Sequence, residues 1–171
     1  NMTFINSVFP PQKVRAIYVH PNPGHQEGAV LAMNEGFERG YFTGYDWVIR
    51  VNPDVLIRND TWLLETFDDE HAHGVFADCH DIVCVDEQEC TKRIIMTDFF
   101  AFRPDRIASN AFKEAYKAER NAELQATLAF APMVQRGNDR WLLGAGPHGN
   151  FCRVGGKSSP VVHDHELSSI F

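Results

Sequence analysis

The sequence lacks any apolar run close to the roughly 20 residues that a membrane-spanning helix needs, and its start, NMTFINSVFPP, lacks the basic-then-apolar order of a signal peptide. It also lacks clusters of Lys and Arg, since 16 basic residues stand against 23 acidic ones and the net charge is −7. Nucleic-acid binding depends on basic groups that neutralise phosphates. We therefore expect no membrane span in this chain and no nucleic acid as a partner.

Cysteine is scarce, with four residues in the chain. Cys79, Cys84 and Cys90 lie close together in DCHDIVCVDEQEC, whereas Cys152 is remote. One disulfide, or none, is as compatible with this spacing as two. The cysteines therefore leave the redox compartment open.

A second hypothesis for the same region is a structural zinc module around Cys79–Cys90. The stretch HAHGVFADCHDIVCVDEQEC also contains His71, His73 and His80, and zinc prefers thiolate and imidazole ligands. The spacing does not match a paired CxxC knuckle, so a disulfide or free thiols explain the cysteines more simply. Tightly held zinc after purification without chelator would favour the module.

The length and composition indicate one globular domain spanning residues 1–171. The chain is 44% hydrophobic and 23% charged, which are ordinary values for a folded protein. A chain of 171 residues is long enough for one well-buried core.

Short apolar runs alternate with segments of helical periodicity along the chain. This alternation predicts an α/β fold with a mostly parallel sheet flanked by helices. The predicted strands are 14–20, 46–51, 74–79, 93–103 and 151–154. The predicted helices are 24–44, 59–67, 105–120 and 121–136.

The tripeptide Asn52-Pro53-Asp54 follows the predicted strand DWVIRV. Ligands of open α/β sheets bind beyond the carboxyl ends of the strands, so these side chains are expected at the rim of a cleft. Oxygen ligands of this kind suit Mg²⁺ or Mn²⁺. On composition alone, an ordinary turn is the better explanation, because Asn-Pro-Asp is a common turn tripeptide.

The longer stretch GHQEGAVLAMNEGFERGYFTGYDWVIRVNPDV resembles the central part of the GT-A glycosyltransferases. Ala32, Asn34 and Gly36 match the small-residue pattern of that family's helix, and Asn52-Pro53-Asp54 stands where its Asp-x-Asp metal motif would be. The segments IIMTDFFAFRPDRI, NAELQATLAF and PVVHDHEL follow in the family's order. The resemblance implies a GT-A-like, Rossmann-related fold and transfer of a sugar from a nucleoside diphosphate, with uridine as the expected base, to a glycan or glycoconjugate hydroxyl.

The resemblance also implies a divalent metal, Mn²⁺ or Mg²⁺, that grips the donor's diphosphate. Asp54 is the main expected ligand, with Asn52 in the position of the missing first acid. His163 and His165 in PVVHDHEL are the other expected ligands, because two residues spaced by two on an extended segment point to the same side.

Four further residues are candidates for the donor and the chemistry. Asn34 and Arg50, with Asn52 and Asp54, are expected on the donor side. Glu123 is the first candidate for the base, because the start of a helix favours an ionised carboxylate; a solvent-facing role is the alternative. Asp98 within IIMTDFF is the second candidate, with a buried pairing role as its alternative.

The reaction expected from these roles is metal-assisted and inverts the anomeric centre, because a direct base would activate the acceptor hydroxyl. The chain departs from the GT-A pattern at its start, where VRAIYVH corresponds to the second strand, so we expect the first strand to be missing or degenerate. A non-catalytic domain that binds sugars or nucleotide-sugars is the alternative function, and the compartment stays open between Golgi lumen and cytoplasm.

Overall fold

A computed structural model describes residues 27–52, 55–57, 60–78, 95–134, 142–143 and 161–163. The helices are α1 (Glu27–Glu38), α2 (Thr61–Asp68), α3 (Ala111–Ala118) and α4 (Ala122–Val134), and a 3-10 turn spans Pro104–Arg106. The strands are β1 (Val48–Val51), β2 (Val55–Ile57), β3 (Gly74–Asp78), β4 (Ile95–Phe102), β5 (Leu142–Leu143) and β6 (Val161–His163). The predicted strands 14–20 and 151–154 lie outside the described residues.

The described strands form a four-stranded sheet in the order β1-β4-β3-β5 and a separate pair, β2-β6. β4 runs antiparallel to both of its neighbours, and only β3 and β5 pair in parallel. The mostly parallel sheet expected from the alternation of strands and helices is therefore not seen among the described strands. The mostly parallel sheet stays a prediction for the whole chain, because the predicted strand 14–20 belongs to that sheet and lies outside the described residues.

The larger core lies between the sheet and helices α1, α3 and α4. Phe130 of α4 is its centre, with ring centroids 4.6–5.3 Å from four other phenylalanines, and it is fully buried. These neighbours are Phe76, Phe100, Phe102 and Phe112. Alanines of α4 face the same core, so small side chains let the helix approach the rings closely.

A smaller core on the other sheet face joins Leu63 of α2 to Val75, Phe99 and Ala101. Adjacent residues of β4 thus serve opposite faces, as the period of two along a strand requires. Helices therefore pack on both faces of the sheet.

Gly36, in the last turn of α1, makes room for the ring of Phe42, which follows the helix. A Cβ placed on Gly36 would come 2.1–2.8 Å from atoms of the Phe42 ring, which packs edge-on against Phe37 at 5.1 Å. The small residue that suggested a family pattern in the sequence thus has a packing reason in this chain.

We expect Gly36→Ala to destabilise the fold by about 1 kcal/mol, because the displaced ring costs about 1–3 kcal/mol while the helix gains about 1 kcal/mol from alanine. Urea unfolding measures the change. In Gly36→Ala combined with Phe42→Leu the loss should be less than the sum of the single changes. Strict additivity would contradict the clash.

Candidate functional site

An irregularity in β4 sets the local geometry of the candidate site. Phe76 of β3 pairs with Phe100, whereas Asp78 pairs with Ile95, so a single residue of β3 faces four residues of β4. Extra residues of this kind bend a strand and redirect its side chains. Thr97 and Asp98, the two polar residues in the otherwise apolar run, fall inside this irregular section.

A chain of three side chains crosses from β1 to β4 at this point. Arg50 Nη2 donates to Asn52 Oδ1 at 2.7 Å, and Asn52 Nδ2 donates to Asp98 Oδ1 at 2.6 Å. The Asn52 backbone N–H also donates to the Asp98 carbonyl at 2.8 Å, which extends the β1-β4 ladder by one residue. All three side chains are half-buried. Two of the predicted donor-side residues and one predicted base are thus in direct contact.

The Arg50 guanidinium also lies over the Phe100 ring, 5.8 Å from its centroid. This distance is within the range of a cation–π contact. The Phe100 ring and Asn52 Oδ1 together hold the Arg50 cation at the end of β1, where its charge acts on Glu123.

Glu123 lies at the start of α4, as the sequence predicted, but it is buried rather than solvent-facing, with 4% of its surface exposed. Asn121 caps the helix by accepting from the Leu124 N–H at 3.0 Å. The Thr97 hydroxyl donates to Glu123 Oε1 at 3.2 Å. One turn further on, the Ile95 N–H donates to Thr127 Oγ1 at 2.9 Å, so two hydrogen bonds fix α4 against the start of β4.

Burial raises the pKa of Glu123 above its ordinary value of 4.5, because the desolvated carboxylate is costly. The negative charge of Asp98 adds to this rise, whereas the helix backbone, Thr97 and Arg50 oppose it. The helix start acts in the expected direction, toward the ionised form, but burial is the larger effect. A carboxyl group with a raised pKa is closer to the range useful for proton transfer near neutral pH.

The structure describes only part of the predicted metal site. Asp54 and His165 lie outside the described residues. His163 is described through its backbone as the last residue of β6, where it is the register partner of Val55, the residue that follows Asp54 in the sequence.

Asn52 fits a metal less well than the sequence suggested. Its only side-chain oxygen accepts from the Arg50 guanidinium at 2.7 Å, so a divalent cation on this oxygen would face a positive group at close range. Among the residues that the structure describes, no group of three or more His, Cys, Asp or Glu could hold a metal ion. The predicted role of Asn52 as a ligand stays untested, and the geometry favours a different role.

Asn34 lies with a different set of residues. Its side chain hydrogen-bonds to Glu38, which also accepts from Lys113 Nζ at 3.0 Å, so it belongs to the contact between α1 and α3. Its own Oδ1 is buried and has no hydrogen-bond partner among the described residues. The described contacts do not connect Asn34 with the Arg50–Asn52–Asp98 chain.

Arg103, which follows β4, supports the fold. Its Nε donates to the Ala72 carbonyl at 2.9 Å and its Nη2 to the Phe67 carbonyl at 3.2 Å, and its guanidinium lies 4.7 Å above the Trp47 ring. Phe67 is in the last turn of α2, where carbonyl groups lack helical partners. The cation satisfies those carbonyls and complements the helix dipole.

We expect Arg103→Lys to destabilise the fold by about 1–3 kcal/mol, because a single ammonium cannot reproduce the planar fork and leaves a half-buried carbonyl unpaired. Chemical unfolding measures the loss. Arg106→Lys is the matched control, since Arg106 is half exposed and pairs with exposed Asp105 at 3.4 Å. Equal effects of the two changes would show that the carbonyl contacts contribute little.

Two cavities are lined by described residues, and neither includes Asn52, Asp98 or Glu123. The larger, about 550 Å³, lies beside the turn between α3 and α4 and is lined by residues 116–120 and Gln125. The smaller, about 300 Å³, lies between the segment after α1 and the 3-10 turn. Neither of these two cavities is therefore the cleft that the sequence predicts at the end of β1.

Two further expectations concern other parts of the chain. The residues of the zinc hypothesis from Cys79 to Cys90 lie outside the described ranges, so that hypothesis stays untested. None of the four described helices is long and apolar enough to cross a membrane. Comparison with protein-family models, curated proteins and solved structures finds no match to this chain.

Proposed function

We propose that this chain transfers a sugar from a nucleoside diphosphate donor, with uridine as the expected base, to a hydroxyl of a glycan or glycoconjugate. The observation that carries the proposal is the contact of Arg50, Asn52 and Asp98 at the end of β1, with Glu123 close enough to sense the Asp98 charge. All four are candidate site residues on sequence grounds alone. Their grouping supports a shared site.

Asp98 is the base in this proposal, since it is half-buried whereas Glu123 is almost fully enclosed. The acceptor oxygen attacks the anomeric carbon and gives its proton to the Asp98 carboxylate. The bond from that carbon to the diphosphate oxygen breaks, and the nucleoside diphosphate leaves with the electron pair. Attack opposite the leaving group inverts the anomeric centre.

The metal in this proposal is held by Asp54 with His163 or His165. When bound, Mn²⁺ or Mg²⁺ stabilises the negative charge on the leaving diphosphate. Arg50 contributes positive charge beside the base. The guanidinium is fixed by Asn52 Oδ1 and the Phe100 ring, so it needs no rearrangement during the reaction.

A thermal-shift comparison of UDP, GDP, CDP and ADP, each with and without Mn²⁺, tests the proposal. A ligand that binds only the folded state at 100 times its Kd adds about 2.7 kcal/mol, which is about 5–10 °C in Tm for a chain of this size. We expect UDP with Mn²⁺ to give this rise and UMP to give less. Indifference of Tm to all four diphosphates, with and without metal, would refute the donor class.

A non-catalytic domain that binds sugars or nucleotide-sugars is the second candidate. It is favoured by the burial of Glu123 and by the engagement of the Asn52 oxygen with Arg50. Hydrolysis of UDP-sugars without acceptor separates the two functions. A transferase releases UDP slowly under these conditions, whereas a binding domain raises its Tm with the ligand but releases none.

A further inference from the structure

The Asn52 side chain has two different partners, and each uses one end of its amide. The oxygen accepts from the cation of Arg50 at 2.7 Å, and the nitrogen donates to the carboxylate of Asp98 at 2.6 Å. An amide can serve a donor and an acceptor in this way because it carries both groups. An aspartate at the same position could accept from Arg50 but has nothing to donate to Asp98.

The geometry points to Asn52 as a positioning residue that orients the Asp98 carboxylate and links it to Arg50, in a role that requires position 52 to be uncharged. The departure from an acid-x-acid pattern at residues 52–54 is then a consequence of the acid on the neighbouring strand. The negative charge that such a pattern would have at residue 52 lies at Asp98 instead. The catalytic part of this inference rests on the proposed function, whereas the contact itself does not.

The backbone makes this arrangement specific. The Asn52 N–H donates to the Asp98 carbonyl at 2.8 Å, so the two residues are held opposite each other by the strand ladder as well as by their side chains. The ladder keeps the two backbones in place, so a carboxylate at position 52 can move away from Asp98 only by rotating its side chain. A carboxylate oxygen in the place of Asn52 Nδ2, which lies 2.6 Å from Asp98 Oδ1, would repel Asp98 strongly unless one of the two acids took up a proton or its side chain rotated away.

A stability cycle tests the contact without any substrate. The variants are Asn52→Asp, Asp98→Asn and the exchange of the two, which carries both changes and keeps the charge of the chain. We expect Asn52→Asp to lower the Tm at pH 7 by about 3–8 °C and Asp98→Asn to change it little. The exchange should recover most of the loss, because the new amide at position 98 would donate to the new carboxylate at position 52, which would also accept from Arg50.

Asn110→Asp is the matched control for the added charge. Asn110 is exposed before α3 and makes no side-chain capping hydrogen bond, so the Tm of this variant should change little. If the exchange variant is no more stable than the sum of its single changes, the coupling of positions 52 and 98 is refuted. If it recovers, the coupling stands whether or not the chain has the proposed activity.

Turnover of UDP-glucose by Asn52→Ala, with Mn²⁺ varied, distinguishes positioning from metal binding. A positioning role predicts that kcat falls by up to about 10²-fold while the KM for UDP-glucose and the Mn²⁺ concentration for half-maximal rate stay unchanged. A ligand role predicts that more Mn²⁺ is needed, and this result would overturn the inference. If the wild-type Tm is indifferent to all four nucleoside diphosphates and no UDP-sugar is turned over while the exchange variant recovers stability, the proposed function fails and the contact between residues 52 and 98 remains.

Discussion

Asp98→Asn should lower kcat by about 10²–10⁴-fold, the usual contribution of a positioned general base. The amide keeps the size of the carboxylate, and its oxygen can still accept from Asn52 Nδ2, which lies 2.6 Å from Asp98 Oδ1 in the wild type. The fold should therefore survive, with a Tm close to that of the wild type. The measurement is release of the nucleoside diphosphate from a UDP-sugar, with and without a glycan acceptor.

Asp105→Asn is the control for Asp98→Asn. Asp105 lies in the 3-10 turn, with 68% of its side chain exposed, and pairs only loosely with Arg106 at 3.4 Å. Asp105→Asn removes one negative charge, as Asp98→Asn does, but at a site that does not contact Asn52. The rate should therefore stay unchanged. If Asp98→Asn keeps more than a tenth of the wild-type kcat while Glu123→Gln loses it, the base is Glu123. If both variants stay active, the inverting mechanism is wrong.

The sequence predicted individual elements better than their arrangement. The apolar run at 46–51 and the helical periodicity at 121–136 correspond to β1 and α4, because hydrophobic spacing depends on neighbouring residues alone. Strand direction depends on which strands meet in space, and the alternation of elements favoured a parallel sheet where β4 in fact pairs antiparallel on both sides. The short strands β2 and β5 carry too few residues for a periodic pattern.

The candidate site was predictable where a residue type broke the local pattern. Thr97 and Asp98 interrupt an apolar strand, and this interruption marks the irregular section of β4 that faces Asn52. The partner of each side chain was not predictable, because the hydrogen bonds from Asn52 to Asp98 and from Thr97 to Glu123 join residues 46 and 26 positions apart. The burial that raises the pKa of Glu123 likewise depends on the packing of α4 against β4.

Glu123→Gln should make the protein more stable at neutral pH, in contrast to most changes of a buried residue. Burial raises the pKa of Glu123, so the folded state holds its proton more tightly than the unfolded state does. The stability that Glu123 contributes is fully present below its ordinary pKa of 4.5 and is lost as the pH rises through the raised pKa. Glutamine stays neutral throughout and can still accept from Thr97.

The gain from Glu123→Gln should therefore depend on pH. Each unit by which the pKa is raised corresponds to about 1.4 kcal/mol, or about 3–6 °C in Tm for a chain of this size. The difference in Tm between variant and wild type should be largest at neutral pH and should vanish below about pH 4.5, where both side chains are uncharged. Glu114→Gln on exposed α3 is the control, with no comparable gain expected.

Turnover by Glu123→Gln assigns a role to the buried acid. If Asp98 is the base, losing the neighbouring carboxyl removes one charge from its surroundings, and kcat should fall far less than in Asp98→Asn. A variant that is more stable yet as inactive as Asp98→Asn would make Glu123 the group that takes the proton, because a stabilised fold cannot explain the lost rate. A variant destabilised at neutral pH would show that Glu123 is ionised and well paired in the folded state, against the desolvation that its burial implies.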